Sequence, residues 1–138
     1  DRYAGYTLRQ VCNEMHAAYR KACIKELQRL CFRDTSFPEI AMSPQEAHQA
    51  MVANEVDYVA LENIKGRVSA TLALIYPPGI GIVVPGERWD DKAKPMLDYF
   101  LAFQESFNRF PGFNYEVQGV FQERVEDKIK FFTYVVRE

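Results

Sequence analysis

Apolar residues recur every three or four positions at Leu8, Cys12, Met15, Tyr19, Cys23, Leu27 and Leu30, a spacing that lays one stripe along a helix. Arg9, Asn13, Arg20, Lys21, Lys25 and Gln28 fall opposite it as a solvated face. Thr7 and Gln10 have capping-box spacing, so the helix is predicted to begin after Thr7 and to run unbroken to about Phe32. Ser43, Pro44 and Glu46 supply a cap, a first-turn proline and a capping-box partner for a second, shorter helix that ends near Ala53, with Asn54 as a left-handed terminator.

Beyond Asn54 the pattern changes. Val56, Tyr58, Val59 and Leu61 predict a strand, and two more are expected over Arg67–Ile75 and Ile80–Val84. Thr71-Leu72-Ala73-Leu74-Ile75 does not alternate, as suits a strand covered on both faces, which predicts a central place in the sheet. Asp90 and Asp91 can cap a third helix in which Pro95 fits only near the first turn. Leu97, Phe100, Leu101, Phe103, Phe107 and Phe110 give that helix an aromatic core face. Tyr115–Phe121 and Ile129–Val136 flank the polar Glu126-Asp127-Lys128 and read as a C-terminal hairpin. The expected class is α+β: three helices packed on a mixed or largely antiparallel sheet, with residues 1–138 as a single domain.

Composition narrows the function classes. An apolar share of 48% and an aromatic share of 14% suit a packed core, and a net charge of -2 with scattered basic residues gives no electrostatic case for nucleic acid. No apolar run approaches the roughly 20 residues of a membrane span, and no secretion signal opens the chain, so membrane is not an expected partner. Cys12, Cys23 and Cys31 are odd in number and lack metal-ligand spacing; they are expected to pack on one side of the first helix, in a cytoplasmic setting.

Chemistry-bearing motifs are few. His16 and His48 have no recognisable company for nucleophilic catalysis, and Gly79-Ile80-Gly81 lacks the third glycine and following helix of a phosphate loop. The turn Tyr76-Pro77-Pro78-Gly79 is more distinctive: the prolines remove two backbone donors and stop strand pairing, which suits the wall of a cleft as well as a simple turn. Glu62, Glu87, Asp90 and Asp91 fall near the ends of the expected central strands, where they could attract a cationic ligand or keep the rim hydrated.

Tyr3-Ala4-Gly5-Tyr6-Thr7-Leu8-Arg9-Gln10, Ser36-Phe37-Pro38 with Ser43-Pro44-Gln45-Glu46-Ala47-His48, Gly66-Arg67, Tyr76-Pro77-Pro78-Gly79, Pro85-Gly86-Glu87, and Pro111-Gly112-Phe113 with Gln118-Gly119-Val120 occur in one order. That series resembles the C-terminal part of the bacterial ornithine/lysine/arginine decarboxylases, large pyridoxal-phosphate enzymes of the aspartate-aminotransferase fold type, and its opening and its Gln-Gly-Val segment resemble the ornithine branch most. The likeness implies a parent reaction from L-ornithine to putrescine and carbon dioxide, with lysine or arginine as alternative substrates. It also implies that the coenzyme is anchored outside this chain by a lysine that follows a histidine: neither His16 nor His48 is followed by lysine, so the isolated chain is expected to hold no cofactor and no catalytic residue.

Its implied partners are the catalytic domains of the parent enzyme, which is expected to be a homo-oligomer. By the same resemblance Tyr76, Pro77, Pro78, Gly79 and Glu87 are placed at the approach to the active site, with Glu62 and Asp90 as further candidates for steering the dicationic substrate. A free-standing binding or regulatory module without catalysis is the alternative, and an independent small-molecule binder a third. Asp1 is no natural start, which favours an excised piece, and a piece cut from a larger protein should expose apolar surface.

Overall fold

The computed structural model describes residues 2–138, so Asp1 lies outside it. Along the chain run α1 (Leu8–Lys21), α2 (Ile24–Cys31), α3 (Pro44–Val52), β1 (Val56–Ala60), β2 (Leu74–Tyr76), α4 (Lys94–Arg109), β3 (Glu116–Gln118), β4 (Phe121–Val125) and β5 (Lys128–Val136). The strands form two antiparallel sheets, one in the order β1-β5-β4 and one of β2 with β3. Helices packed on antiparallel sheets make this the expected α+β class.

Both capping boxes form. Thr7 Oγ1 accepts from the Gln10 N–H while Gln10 Oε1 accepts from the Thr7 N–H, and Ser43 and Glu46 repeat the exchange at the start of α3. Asn54 terminates α3 in the left-handed conformation at φ 57°.

The first helix is two helices, which raises the number of α-helices from the expected three to four among the described residues. The break is at Cys23, whose φ of 53° is left-handed, and it turns α2 onto α4. Val11, Met15, Ala18 and Tyr19 face inward on α1 instead, and Leu8 and Cys12 face solvent. Burying Ile24, Leu27 and Cys31 against the core offsets the roughly 1–2 kcal/mol of a left-handed cysteine. Of the three cysteines only Cys31 is packed, where burial pushes its thiol up to about 12; Cys12 and Cys23 are exposed.

The central strand is β5, not the Thr71–Ile75 run. Its nine residues pair with β1 on one side and β4 on the other, and Phe131, Thr133 and Val135 alternate inward. The Thr71–Ile75 run is covered only in part, with Ala73, Leu74 and Ile75 buried and Leu72 exposed, and only Leu74–Tyr76 pairs, with β3. Ile80–Val84 contributes one bridge, Val83 to Ala73, because prolines and glycines on both sides leave no room for a longer ladder. The C-terminal hairpin forms as β4 and β5, but its first arm is not the expected Tyr115–Phe121: Glu116–Gln118 pairs with β2 in the other sheet, and the chain leaves β3 at Gly119 (φ 71°), where any Cβ would strike the Leu72 carbonyl.

The main core joins α2, α4 and the sheets, and a second, smaller one packs Ala47 and Ala50 of α3 on Val56, Val68, Ala70 and Val136. Met96, Tyr99, Phe100, Phe103 and Phe107 line the inner face of α4, and the Phe107 and Phe131 rings meet edge to face at 5.2 Å. Where β1 has ended, α4 side chains satisfy the β5 backbone: Asn108 brackets Ile129 by two bonds and Gln104 Oε1 accepts from the Phe131 N–H at 2.6 Å. The hydroxyls of Thr71 and Thr133 both donate to the Gly119 carbonyl, which fixes the root of the segment leading into β2.

Candidate functional site

The turn after β2 is anchored in the core and apolar at its tip. Tyr76 is the last paired residue, opposite Glu116, and Pro77 and Pro78 then offer no N–H to continue. Gly79 N–H returns to the Ile75 carbonyl at 3.3 Å, and the base is closed by bonds from Ile82 N–H and Ala73 N–H to the Ala73 and Val83 carbonyls at 2.9 and 2.8 Å. Ile75, Ile82 and Val83 are buried beneath it, whereas Leu72, Tyr76 and Ile80 remain 45%, 53% and 56% exposed.

Two glycines shape this tip. Gly79 has φ 79°, and a Cβ there would lie 2.7 Å from Tyr76 Cδ2, so the tyrosine ring lies across the glycine. A Cβ on Gly81 would lie 2.8 Å from Leu72 Cδ1. Exposed Tyr76 and Leu72 thus each rest on a glycine of one turn, beside exposed Pro77, Pro78 and Ile80. Sequence reasoning named Tyr76 to Gly79 but not Leu72, which lay hidden in the unbroken apolar run Thr71–Ile75.

The candidate carboxylates have structural partners. Glu87 Oε2 accepts from the Val84 N–H at 2.8 Å and closes the turn at Gly86; burial, chiefly, and the charge of Asp90 hold its carboxyl above the ordinary value. Asp90 accepts from the N–H groups of Lys92 and Ala93 at the entry to α4 and, with its other oxygen, from Glu39 N–H at 3.0 Å. These bonds close the turn ahead of the helix, so neither Asp90 nor Asp91 is the expected cap: α4 starts from Ala93 without a side-chain bond, and Asp91 pairs with Lys65 at 2.6 Å. Glu62 bonds Lys130 Nζ at 2.7 Å and Gln104 Nε2 at 3.2 Å, and the Lys130 bond is the main cause holding its carboxyl below the ordinary range. Glu87 and Asp90 therefore sit together, while no hydrogen bond or ion pair among the described residues joins Glu62 to them or any of the three to the Tyr76 turn.

No lysine here is suited to anchor an aldehyde coenzyme, which needs an amine that can lose its charge. Lys65, Lys94 and Lys130 are ion-paired to Asp91, Asp98 and Glu62, and the Asp91 bond raises the Lys65 pKa. Lys21, Lys25, Lys92 and Lys128 are exposed. The residues present do not fit pyridoxal phosphate.

The fold and the likeness in sequence define one class. The family model described as "Orn/Lys/Arg decarboxylase, C-terminal domain" matches residues 25–137, and the chain belongs to that family. It is 45% identical over 137 residues to the inducible ornithine decarboxylase of Escherichia coli, covering 99% of this chain and 18% of that protein. Against the ornithine decarboxylase of Haemophilus influenzae the identity is 43% over 139 residues, covering 100% of this chain and 19% of the relative. Among solved structures, lysine decarboxylase A from Pseudomonas aeruginosa superposes with a TM-score of 0.89 at 31% identity, over 99% of this chain and 18% of that one. The chain spans less than a fifth of the length of these relatives.

Proposed function

We propose that this chain is the C-terminal domain, residues 1–138, of a pyridoxal-phosphate-dependent ornithine decarboxylase, and that its task is to pack on the catalytic domains and form part of the wall of the substrate approach. The observation that carries the proposal is the turn from Tyr76 to Gly81: its base is locked into the core, yet its apolar tip is left uncovered by the rest of the chain. A tip held this way has a fixed shape to present to a neighbouring surface.

The parent reaction converts ornithine to putrescine and carbon dioxide in the cytoplasm of a homo-oligomeric enzyme that holds its coenzyme outside this chain. Support comes from the ornithine decarboxylases at 43–45% identity and from the absence of a suitable amine among the lysines. The small share of each relative that the chain covers supports this over a free-standing module. Within the wall, Tyr76, Pro77, Pro78 and Gly79 supply the surface and Glu87 fixes the turn that follows Val84; Glu62, Glu87 and Asp90 add negative potential that favours a dicationic substrate.

The test is made in the full-length protein. Tyr76→Ala is expected to raise KM for ornithine several-fold and leave the bound coenzyme's absorbance unchanged; unchanged kinetics would remove the turn from the approach. Neutralising Glu62, Glu87 and Asp90 together is expected to lower kcat/KM and flatten its dependence on salt, and an unaltered salt dependence excludes steering.

A further inference from the structure

A cleft of about 340 Å³ opens between the last turn of α1 and the C-terminal half of α4. It exists because the facing positions Ala18, Ala22 and Ala102 are too small to fill the space between the helices. At its floor the Tyr19 hydroxyl and Ser106 Oγ lie 3.0 Å apart and share one hydrogen bond, and Ser106 is only 4% exposed. Two hydroxyls bring two protons to that single bond, so one O–H is left over to donate. Burial, above all, and the neighbouring Tyr115 hydroxyl raise the Tyr19 pKa.

The mouth carries Lys21, Arg109 and Glu105. Neither Lys21 nor Arg109 forms an ion pair among the described residues, while Arg109 lies over the Phe110 ring at 5.3 Å. A basic residue in the last turn of each helix complements the helix dipole. That does not account for a cleft between them with a half-buried tyrosine hydroxyl bonded to a buried serine at its base.

We propose that this cleft binds a small anion, a phosphate- or carboxylate-bearing ligand, with Arg109 and Lys21 holding the charge and the Tyr19–Ser106 pair donating to an inner oxygen. Its volume falls at the lower end of small-molecule sites, which suits a compact ligand. The site is independent of the decarboxylase reading, because it uses none of the turn residues.

The experiment is calorimetric titration of the full-length protein, with its coenzyme site already filled, by inorganic phosphate, by citrate and by putrescine as a cationic control. Binding of phosphate or citrate is expected, weakened roughly tenfold by R109A and again by K21A, since each removes a charge-assisted bond. Ser106→Ala should weaken it less and leave decarboxylation unchanged, and the two anion arms separate a phosphate ligand from a carboxylate one. Binding that ignores R109A and K21A, no anion binding, or preferred binding of putrescine overturns the proposal. Folding of each variant is checked by its thermal transition, and R109K, which keeps the charge, should retain most of the affinity.

Discussion

Adding a single methyl group at Gly79 tests whether the turn holds Tyr76 in place. Gly79 has φ 79°, so an alanine there carries the cost of a left-handed L-residue, about 1–2 kcal/mol. Its Cβ would also sit 2.7 Å from the Tyr76 ring, which must swing off the turn. Tyr76 is 53% exposed, so the packing lost is about half that of a buried aromatic, on the order of 1 kcal/mol. Gly66 is the matched control: its φ is 86°, and a Cβ there meets nothing within 4 Å. Gly66→Ala should therefore lose only the backbone part, about 1–2 kcal/mol, and Gly79→Ala about 2–3 kcal/mol. Urea unfolding of the chain measures both. In the Y76A/G79A double variant no ring remains to be displaced, and the cycle should return a coupling of about 1 kcal/mol. In the full-length protein, Gly79→Ala should depress kcat/KM for ornithine and Gly66→Ala should not. Equal effects of the two alanines on stability and kinetics would refute the link between Gly79 and the Tyr76 ring.

Asp90→Ala strands three backbone donors, at Glu39, Lys92 and Ala93, and should cost about 2 kcal/mol in urea unfolding, with hydrogen exchange rising first at the start of α4. Phe107→Ala empties the meeting point of α4 and β5 and should cost about 3–5 kcal/mol, the largest single loss of those named here. Burial holds the Glu87 carboxyl above its ordinary value, so its contribution to stability is present below the unfolded pKa and lost as pH rises through the folded one. Glu87→Gln, whose oxygen can still accept from Val84, should flatten that part of a urea-midpoint profile; an unchanged slope there contradicts the assignment. Asp57 behaves oppositely: bonds from Arg67 and Arg137 hold its carboxyl low, so its contribution is present above the unfolded value and lost on acidification, and Asp57→Asn should remove that loss.

Local chemistry was the most legible part of the sequence. Thr7, Ser43, Glu46 and Asn54 act within a few residues of themselves, so spacing alone located their caps. The aromatic face of α4 was equally plain, because Phe100, Phe103 and Phe107 repeat at helical intervals. Long-range competition was not legible. Nothing in Leu8 to Leu30 says that the chain gains more by breaking at Cys23 and laying α2 on α4, and nothing in Thr71–Ile75 says that β5 takes the central place. At the candidate site, Pro77, Pro78 and Gly79 announced the turn. The resting of Tyr76 on Gly79 and Leu72 on Gly81, and the bonds that occupy Glu62, Glu87 and Asp90, depend on three-dimensional neighbours that spacing does not encode.

Oxidative footprinting of tyrosines in the full-length protein, with and without a non-reacting ornithine analogue, tests the proposed wall most directly. Tyr76 should be labelled in the free protein and protected when the analogue is bound, while Tyr6, 42% exposed on a different part of the chain, should label equally in both. Labelling of Tyr76 that is indifferent to the analogue would contradict the placement of this turn beside the substrate's path.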